Sequence, residues 1–204
     1  MPMDLIMIRH TSVGVPRGTC YGWTDVPVAD TFEQEAAETL RDLQPLMPFD
    51  RVYSSPLTRA RMLAEYYMRR EGGKEKNSDP LSISQEQLSI VNYQLSITFD
   101  PRLKEMNMGD WEMQQFESIS DPKLQEWYDD FMHKPTTNGE SFPQFYGRVA
   151  SFLDELRQQP FRRVAIFAHG GVLIAAAIYA GLFPADEHAF SHLVPYGGIQ
   201  QLSI

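Results

Sequence analysis

Apolar residues follow two different patterns along the chain. In some segments they form short continuous runs, which are typical of strands covered on both faces of a sheet. In others they recur every three or four residues, which is typical of helices that pack one face against a core. The expected strands are 3–8, 51–56, 97–101, 163–168 and 197–203, and the expected helices lie between Thr31 and Pro45 and at 57–70, 122–132, 141–159 and 171–181. This alternation predicts an α/β fold with three layers, in which a mostly parallel central sheet carries helices on both faces.

Two of the helix starts carry specific signals. Thr31 is an expected N-cap, because a threonine side chain at that position accepts a hydrogen bond from the first turn. Ser141 and Gln144 have the spacing of a capping box, in which each side chain bonds to the other residue's backbone N–H. Pro45 and Pro160 then mark helix ends, since proline has no N–H to continue the helix.

Residues 71–96 interrupt the alternation. The tetrapeptide Gln-Leu-Ser-Ile occurs at 87–90 and 94–97, and a third copy ends the chain at 201–204. The period is too short for a solenoid. A length of 204 residues is ordinary for one domain. We therefore expect a single domain over 1–204 with a repeat-containing surface insertion at 71–96.

Composition narrows the class of protein. The contents of 43% hydrophobic and 22% charged residues are those of a folded globular chain. A net charge of -9 disfavours nucleic acid and anionic membranes as partners, so any anion site has to be local. The single cysteine, Cys20, and an N-terminus without a signal peptide or a membrane-length apolar run lead us to expect a cytoplasmic protein.

Two of the predicted strands end in a histidine. The first is followed by Arg9 and His10, and the fourth by His169 and two glycines. Ligands of parallel α/β sheets bind beyond the carboxyl ends of the strands, so both histidines are expected in one crevice. Arg59 follows a turn at the start of a predicted helix, where free backbone N–H groups favour anions.

Several common chemistries lack their sequence signals. No arginine follows Cys20 at the spacing of a cysteine phosphatase, and the chain has no nucleotide-binding glycine loop and no Gly-x-Ser-x-Gly elbow. His188 and His192 are four residues apart, but no adjacent glutamate completes a zinc-protease pattern. We therefore expect no metal and no cofactor.

The basic residues suit a tetrahedral phosphate. An arginine presents a planar fork that matches two phosphate oxygens, so Arg9 and Arg59 together with two imidazoles describe an oxyanion pocket. Gly170 and Gly171 let the backbone come close to the anion, because they have no side chain.

A phosphate ester in this pocket needs a nucleophile and an acid. A neutral imidazole is a candidate nucleophile that yields a phosphohistidine, which water then hydrolyses. The leaving alkoxide needs a proton, which a carboxylic acid supplies. Glu105 is the candidate donor, and Glu112 and Glu140 are the alternatives.

Five motifs resemble, in order, those of the histidine phosphatase (phosphoglycerate-mutase-like) superfamily. They are Arg9-His10-Thr11, Ser54-Ser55-Pro56-Leu57-x-Arg59-Ala60, Leu103-Lys104-Glu105-Met106-x-Met108-Gly109-x-Trp111-Glu112, Gly139-Glu140-Ser141 and Ala168-His169-Gly170-Gly171. The resemblance covers the chain except 71–96. It implies a metal-independent phosphatase in which His10 is the phosphorylated nucleophile and Glu105 is the general acid and base. It also implies that Arg9, Arg59 and His169 bind the phosphoryl group.

The chain departs from the family pattern at three places. Thr11 stands where the family usually has glycine. The mutases' phosphate-contacting asparagine after the nucleophile is absent, since the region holds Gly14-Val15-Pro16-Arg17. The run after Glu105 lacks the mutases' extended loop. The last two departures favour a phosphatase over a mutase.

The segment from Arg9 to Pro27 resembles the first segment of the α-ribazole phosphatases. These enzymes remove the 5′-phosphate of α-ribazole phosphate in the nucleotide-loop branch of cobalamin synthesis. The resemblance implies that the 11–30 loop lines the substrate side of the pocket, where flat aromatic side chains favour stacking on a base. The candidate substrate contacts are Arg17, Tyr21, Gly22, Trp23 and Trp111.

The small phosphorylated substrate expected from this resemblance is α-ribazole phosphate, and four alternatives to this function stay open. They are a broad small-molecule or sugar-phosphate phosphatase, a phosphoglycerate mutase, a protein-phosphohistidine phosphatase and a non-catalytic module that binds phosphorylated ligands. The presence of His10, Arg59 and His169 favours catalysis over the binding module. The sequence does not indicate an oligomeric state.

Overall fold

The computed structural model describes residues 2–71 and 96–204. Over this part of the chain the strands are Asp4–Arg9 (β1), Arg51–Ser54 (β2), Ile97–Phe99 (β3), Arg163–Ala168 (β4) and Ile199–Ser203 (β5). They form one sheet in the order β3-β2-β4-β1-β5. The pairs β3–β2, β2–β4 and β4–β1 are parallel, and β5 runs antiparallel beside β1. The prediction of a mostly parallel sheet is confirmed.

Helices follow the strands as the pattern predicts. Within the described residues the α-helices are Phe32–Leu43 (α1), Thr58–Glu71 (α2), Lys123–Asp129 (α3), Phe142–Leu156 (α4) and Gly170–Tyr179 (α5). Short 3-10 turns occupy parts of the connections, including one at Gln44–Leu46 that contains Pro45. α3 ends before the predicted 132 and α4 before the predicted 159, so the helix ends are the least accurate part of the prediction.

The first strand is covered on both faces because its apolar side chains alternate between two cores. Leu5 and Met7 belong to a cluster that includes the buried faces of α4 and α5. Ile6 and Ile8 belong to a second cluster, which includes the buried faces of α1 and α2. Successive strand residues point to opposite faces of a sheet, so a strand between two helical layers is apolar at every position. The predicted three-layer arrangement is therefore confirmed.

One expected helix cap is present and the other is absent. Ser141 Oγ accepts from the N–H of Gln144, and Gln144 Oε1 accepts from the N–H of Ser141 at 2.9 Å, so the capping box is confirmed. The N-cap prediction for Thr31 is wrong, because its side chain accepts no hydrogen bond from the first turn of α1. Its hydroxyl donates instead to the carboxylate of Glu35 one turn away, at 2.5 Å.

The register of the sheet places the two histidines side by side. Arg9 of β1 pairs with Ala168 of β4, so His10 and His169 are the next residues of two neighbouring parallel strands. The N–H of His10 donates to the carbonyl of Ala168 at 3.0 Å. β2 ends at the same edge, where the N–H of Ser55 donates to the carbonyl of Phe167 at 2.9 Å.

The insertion expected at 71–96 lies outside the described residues except at its ends. The C-terminal copy of the repeat is described, and its first three residues, Gln201 to Ser203, belong to β5. No helix in the described part of the chain is long and apolar enough to cross a bilayer.

Candidate active site

His10 lies at the carboxyl edge of the sheet with its ring fixed from one side. Its Nδ1 is 2.7 Å from the carbonyl oxygen of Thr11. Because a carbonyl only accepts, we assign the proton to Nδ1, which leaves the lone pair on Nε2. The side chain is 2% exposed, and its ring centroid is 5.2 Å from that of His169.

The surroundings of His10 keep its ring neutral. Burial lowers the pKa of His10 from 6.5 to about 3, and the positive charges of Arg59 and Arg9 act in the same direction. The hydrogen bond to the carbonyl of Thr11 opposes this shift. The uncharged ring is thus the form present at neutral pH, and only this form has a lone pair for attack on an electrophile.

Arg59 reaches the site from the first turn of α2 and is fully buried. Its Nη2 donates to the carbonyl of Gly22 at 2.6 Å, and its Nη1 donates to the carbonyl of Thr24 at 3.1 Å. Its Nε is buried without a hydrogen-bond partner among the described residues. The guanidinium is therefore held in place by the loop after β1 and keeps a donor free.

Arg9 is held in a similar way from the other side. Its Nη1 donates to the carbonyl of Val194 at 2.6 Å, and its guanidinium carbon lies 4.2 Å from the ring centroid of Tyr196. Its Nε is also buried and unpaired within residues 2–71 and 96–204. Two fixed guanidinium groups thus flank the two histidines, as the sequence predicts.

His169 precedes α5 and is fully buried. Its Nε2 is 2.7 Å from Ser55 Oγ, while its Nδ1 has no partner in the described part of the chain. Ser55 Oγ already accepts from the N–H of Leu57 at 3.3 Å, so its own proton is available to Nε2. That arrangement leaves the ring proton on Nδ1 as a donor. Burial and then the charge of Arg59 lower the pKa of His169 well below its usual value.

Glu105 lies beside the start of α5. Its Oε2 accepts from the N–H of Gly171 at 3.1 Å, and its Oε1 accepts from the N–H of Met106 at 2.9 Å. A Cβ on residue 171 would come within 2.3 Å of Oε1. The glycine predicted to approach the phosphate thus also makes room for the carboxylate.

The other two candidate acids are engaged elsewhere. Glu112 accepts from the N–H groups of Trp23, Thr24 and Met108 and from the hydroxyl of Thr24. Burial opposes ionisation of Glu112, but these hydrogen bonds outweigh it and lower its pKa. Glu140 accepts two hydrogen bonds from Arg148, at 2.7 and 2.9 Å. Both carboxylates are thus anchors of neighbouring loops.

Comparison with known families identifies the chain. The family model of the histidine phosphatase superfamily (branch 1) matches residues 5–81 and 83–204. The chain belongs to this superfamily. It is 30% identical over 178 residues to the adenosylcobalamin/alpha-ribazole phosphatase of Escherichia coli (strain K12), an alignment that covers 84% of this chain and 75% of that protein.

Solved structures agree with this assignment. The α-ribazole phosphatase from Shigella flexneri has a TM-score of 0.76 at 26% identity, over 98% of this histidine phosphatase and 89% of that chain. The phosphoglycerate mutase from Thermus thermophilus has a TM-score of 0.65 at 28% identity, over 98% of this chain and 92% of the mutase. The phosphoglycerate-mutase-like fold is confirmed, and the chain is a phosphoric monoester hydrolase.

The predicted substrate contacts of this histidine phosphatase are not all in one place. Two of them contact Arg59: the ring of Tyr21 packs against its guanidinium group, and the carbonyl of Gly22 accepts a hydrogen bond from it. Trp23 is 40% exposed, with the ammonium of Lys104 4.7 Å from its ring centroid. Arg17 is exposed.

Trp111 is placed differently from the expectation. The ring is 1% exposed and belongs to the larger core cluster, and its N–H donates to Asp121 at 2.9 Å. It also packs edge-on against Trp127. A ring with no open face offers nothing for a substrate to stack on, so its role is to pack the loop after Glu105 onto the core.

Two residues of the site were missed in the sequence. Ser55 belongs to the Ser-Ser-Pro-Leu motif, and a hydroxyl in a motif beside an expected phosphate site was an available signal. Tyr196 lies in a turn before β5 with no periodic pattern, so only the fold brings its ring onto Arg9.

In the part of the chain that the structure describes, no three His, Cys, Asp or Glu side chains converge in a cluster that could hold a metal ion. His192 instead stacks on Phe183, with ring centroids 4.3 Å apart.

Proposed function

We propose that this histidine phosphatase hydrolyses α-ribazole 5′-phosphate through a phosphohistidine formed on His10. The observation that supports a phosphohistidine mechanism is the environment of His10. Its ring is buried and neutral, its Nδ1 is hydrogen-bonded to a carbonyl oxygen, and it lies beside His169 and Arg59. Such a ring offers Nε2 as the nucleophile.

In the first step, Nε2 of His10 attacks phosphorus. The bond from Nε2 to phosphorus forms as the bond from phosphorus to the ester oxygen breaks, and the leaving oxygen takes the proton of the Glu105 carboxylic acid. In the second step, the Glu105 carboxylate takes a proton from water, whose oxygen attacks phosphorus and releases His10. The proton returns to Glu105 and no step needs a metal, so we expect activity to survive EDTA.

Positive charge for the reaction comes from Arg9 and Arg59. The unpaired Nε–H groups of both residues are available to phosphoryl oxygens. Donors fixed in a buried site stabilise the charge on the transferring group, because they need no reorganisation during the reaction. The Nδ1–H of His169 and the N–H of Gly170 at the start of α5 add two further donors.

The assignment of Glu105 as the acid is supported by the positions of its rivals. Glu112 holds the 23–24 loop and Glu140 is paired with Arg148, whereas Glu105 contacts the N–H of Gly171, two residues from His169. Of the three carboxylates, Glu105 is therefore the one best placed to reach an ester oxygen.

The substrate proposal is supported by the relatives, which are named α-ribazole phosphatases, and by the aromatic loop after β1. We assign Tyr21, Gly22 and Trp23 to the substrate side of the pocket. Arg17 stays a candidate contact, and Trp111 is left out because it is buried in the core.

A substrate panel tests this proposal. It contains α-ribazole 5′-phosphate, 3-phosphoglycerate, a sugar phosphate and a phosphohistidine peptide, each assayed for phosphate release and for phosphoryl transfer. We expect the highest kcat/KM with α-ribazole 5′-phosphate. Similar values across the small molecules would favour a broad phosphatase, and isomerisation of 3-phosphoglycerate would favour a mutase.

The single domain over 1–204 and the cytoplasmic location remain predictions.

A further inference from the structure

The peptide group between Gly22 and Trp23 joins two charged side chains. Its N–H donates to Oε1 of Glu112 at 2.8 Å, and its carbonyl accepts from Nη2 of Arg59 at 2.6 Å. A trans peptide group is planar, with its N–H and its carbonyl pointing in opposite directions, so neither end turns without the other. One rigid group therefore links the carboxylate to the guanidinium, with its dipole aligned between the two charges.

The carboxylate of Glu112 also holds the next residue of this segment. Its Oε2 accepts from both the N–H and the hydroxyl of Thr24, and its Oε1 accepts in addition from the N–H of Met108 at 3.1 Å. The carbonyl of Thr24 accepts from Nη1 of Arg59 at 3.1 Å. Residues 22–24 thus give N–H groups to Glu112 and carbonyls to both terminal nitrogens of Arg59.

This 22–24 segment fits tightly against the residues that follow Glu105. A Cβ on Gly22 would come within 1.9 Å of the carbonyl oxygen of Met106 and 3.0 Å of Oε1 of Glu112. The segment therefore has little room to shift, and a change at Glu112 acts on its backbone directly.

The charge of Glu112 acts on the guanidinium as well. Burial lowers the pKa of Arg59, and the negative charges that oppose this shift include those of Glu105 and Glu112. Hydrogen bonds to charged groups are also stronger than those between neutral groups. The carboxylate of Glu112 thus favours both the orientation and the charge of Arg59.

We propose that Glu112 is a positioning residue for phosphate binding, which acts through the 22–24 segment to hold the guanidinium of Arg59 in place for the phosphoryl group. This inference rests on the proposed function, because it takes Arg59 as a phosphate ligand. A guanidinium that has to be ordered when the phosphate arrives binds it more weakly than one already fixed. Glu112 should therefore affect all phosphomonoesters alike, whatever their leaving group.

A double-mutant cycle tests this role. Glu112→Gln removes the charge and places an amide nitrogen opposite the N–H of Thr24, while one oxygen remains for the other donors. We expect the dissociation constant of inorganic phosphate to rise about five- to tenfold, and kcat/KM to fall by a similar factor for an alkyl and an aryl phosphate. In an Arg59→Lys background the same change should have less than about a twofold effect, since the fork that Glu112 positions is gone.

Glu140→Gln is the matched control. Glu140 is also a mostly buried carboxylate with several donors, since it accepts from Arg148 and from the N–H of Asn107. These donors do not bond to Arg59. The loss in kcat/KM caused by Glu140→Gln should therefore be of the same size in the wild type and in the Arg59→Lys background.

Thr24→Val replaces Glu112→Gln in the cycle if that variant does not keep the circular dichroism spectrum of the wild type. Valine has nearly the same shape as threonine, and the change removes only the hydroxyl that donates to Glu112. We expect an effect of the same kind but smaller, about two- to threefold, and again absent in the Arg59→Lys background.

Other outcomes overturn the proposal. Equal factors for Glu112→Gln in both backgrounds would show that Glu112 supports the fold without acting through Arg59, and a loss confined to the alkyl phosphate would make Glu112 the acid. Failure of the proposed function has a different signature. In that case the wild-type chain would not bind inorganic phosphate, or an Arg59→Lys variant would bind it as tightly as the wild type.

Discussion

Gly171 both holds the carboxylate of Glu105 and leaves room for it. The N–H of Gly171 donates to Oε2 at 3.1 Å, while a Cβ on this residue would lie 2.3 Å from Oε1. Gly171 lies in the first turn of α5, directly after the pocket residues His169 and Gly170. The proposed acid and the proposed phosphate site are thus built on the same helix start.

Gly171→Ala should displace the Glu105 carboxylate and slow proton donation. General acid catalysis contributes about a hundredfold or more, so we expect kcat for an alkyl phosphate to fall by at least about tenfold. The matched control is Gly147→Ala in α4, where an added Cβ meets nothing within 4 Å. Steady-state assays should show no loss for the control, whose helix gains up to about 1 kcal/mol. An alkyl phosphatase activity untouched by Gly171→Ala would contradict the placement of Glu105.

Glu105→Gln should separate substrates by their leaving groups. Glutamine keeps the size of the side chain but has no proton to give, so a poor alkoxide leaving group should lose about a hundredfold in kcat or more. An activated aryl phosphate should lose far less, since its leaving group needs no proton. Glu140→Gln is the control, and because Glu140 supports the loop through Arg148, its losses should be equal on both substrates. Equal losses for Glu105→Gln would point to Glu112 or Glu140 as the acid.

The neutral His10 should make the fold weaker in acid. Its pKa is lowered from 6.5 to about 3 by burial and by Arg59, so the unfolded chain binds a proton between these values and the folded chain does not. The contribution is complete above pH 6.5 and is lost as the pH falls toward 3. Between pH 7 and pH 5, the free energy of unfolding should therefore fall by about 2 kcal/mol more in the wild type than in His10→Gln.

Urea unfolding in phosphate-free buffer measures this difference, because a bound anion would itself change the charge balance of the site. A gap between the wild type and His10→Gln that is the same at both pH values would show that the ring of His10 is not kept neutral by folding.

The sequence predicts the parts of the molecule that follow from strand geometry. The continuous apolar run of β1 requires helices on both faces, and parallel strands bring their carboxyl ends to one edge. His10 and His169 follow directly from these two rules. Arg59 and Glu105 needed the order of the motifs as well, because Arg59 lies in a helix and Glu105 lies in a connection, so neither directly follows a strand.

Contacts between distant side chains are what the sequence does not reveal. Trp111 turns into the core although it lies in a polar loop. Tyr196 reaches Arg9 only after β5 has paired with β1. Each of these outcomes depends on which residues the fold brings together, and no local sequence pattern identifies those residues.

The proposed mechanism requires a covalent phosphoryl group on His10 during turnover. Rapid alkaline quenching during turnover of p-nitrophenyl phosphate, followed by peptide mass spectrometry, measures it directly, with exposed His188 as the internal comparison. We expect a phosphoryl group on His10 and none on His188 or His169, and none on any histidine in a His10→Ala variant that keeps its circular dichroism spectrum. Turnover without a phosphohistidine, or a folded His10→Ala variant that still releases phosphate, would contradict the mechanism.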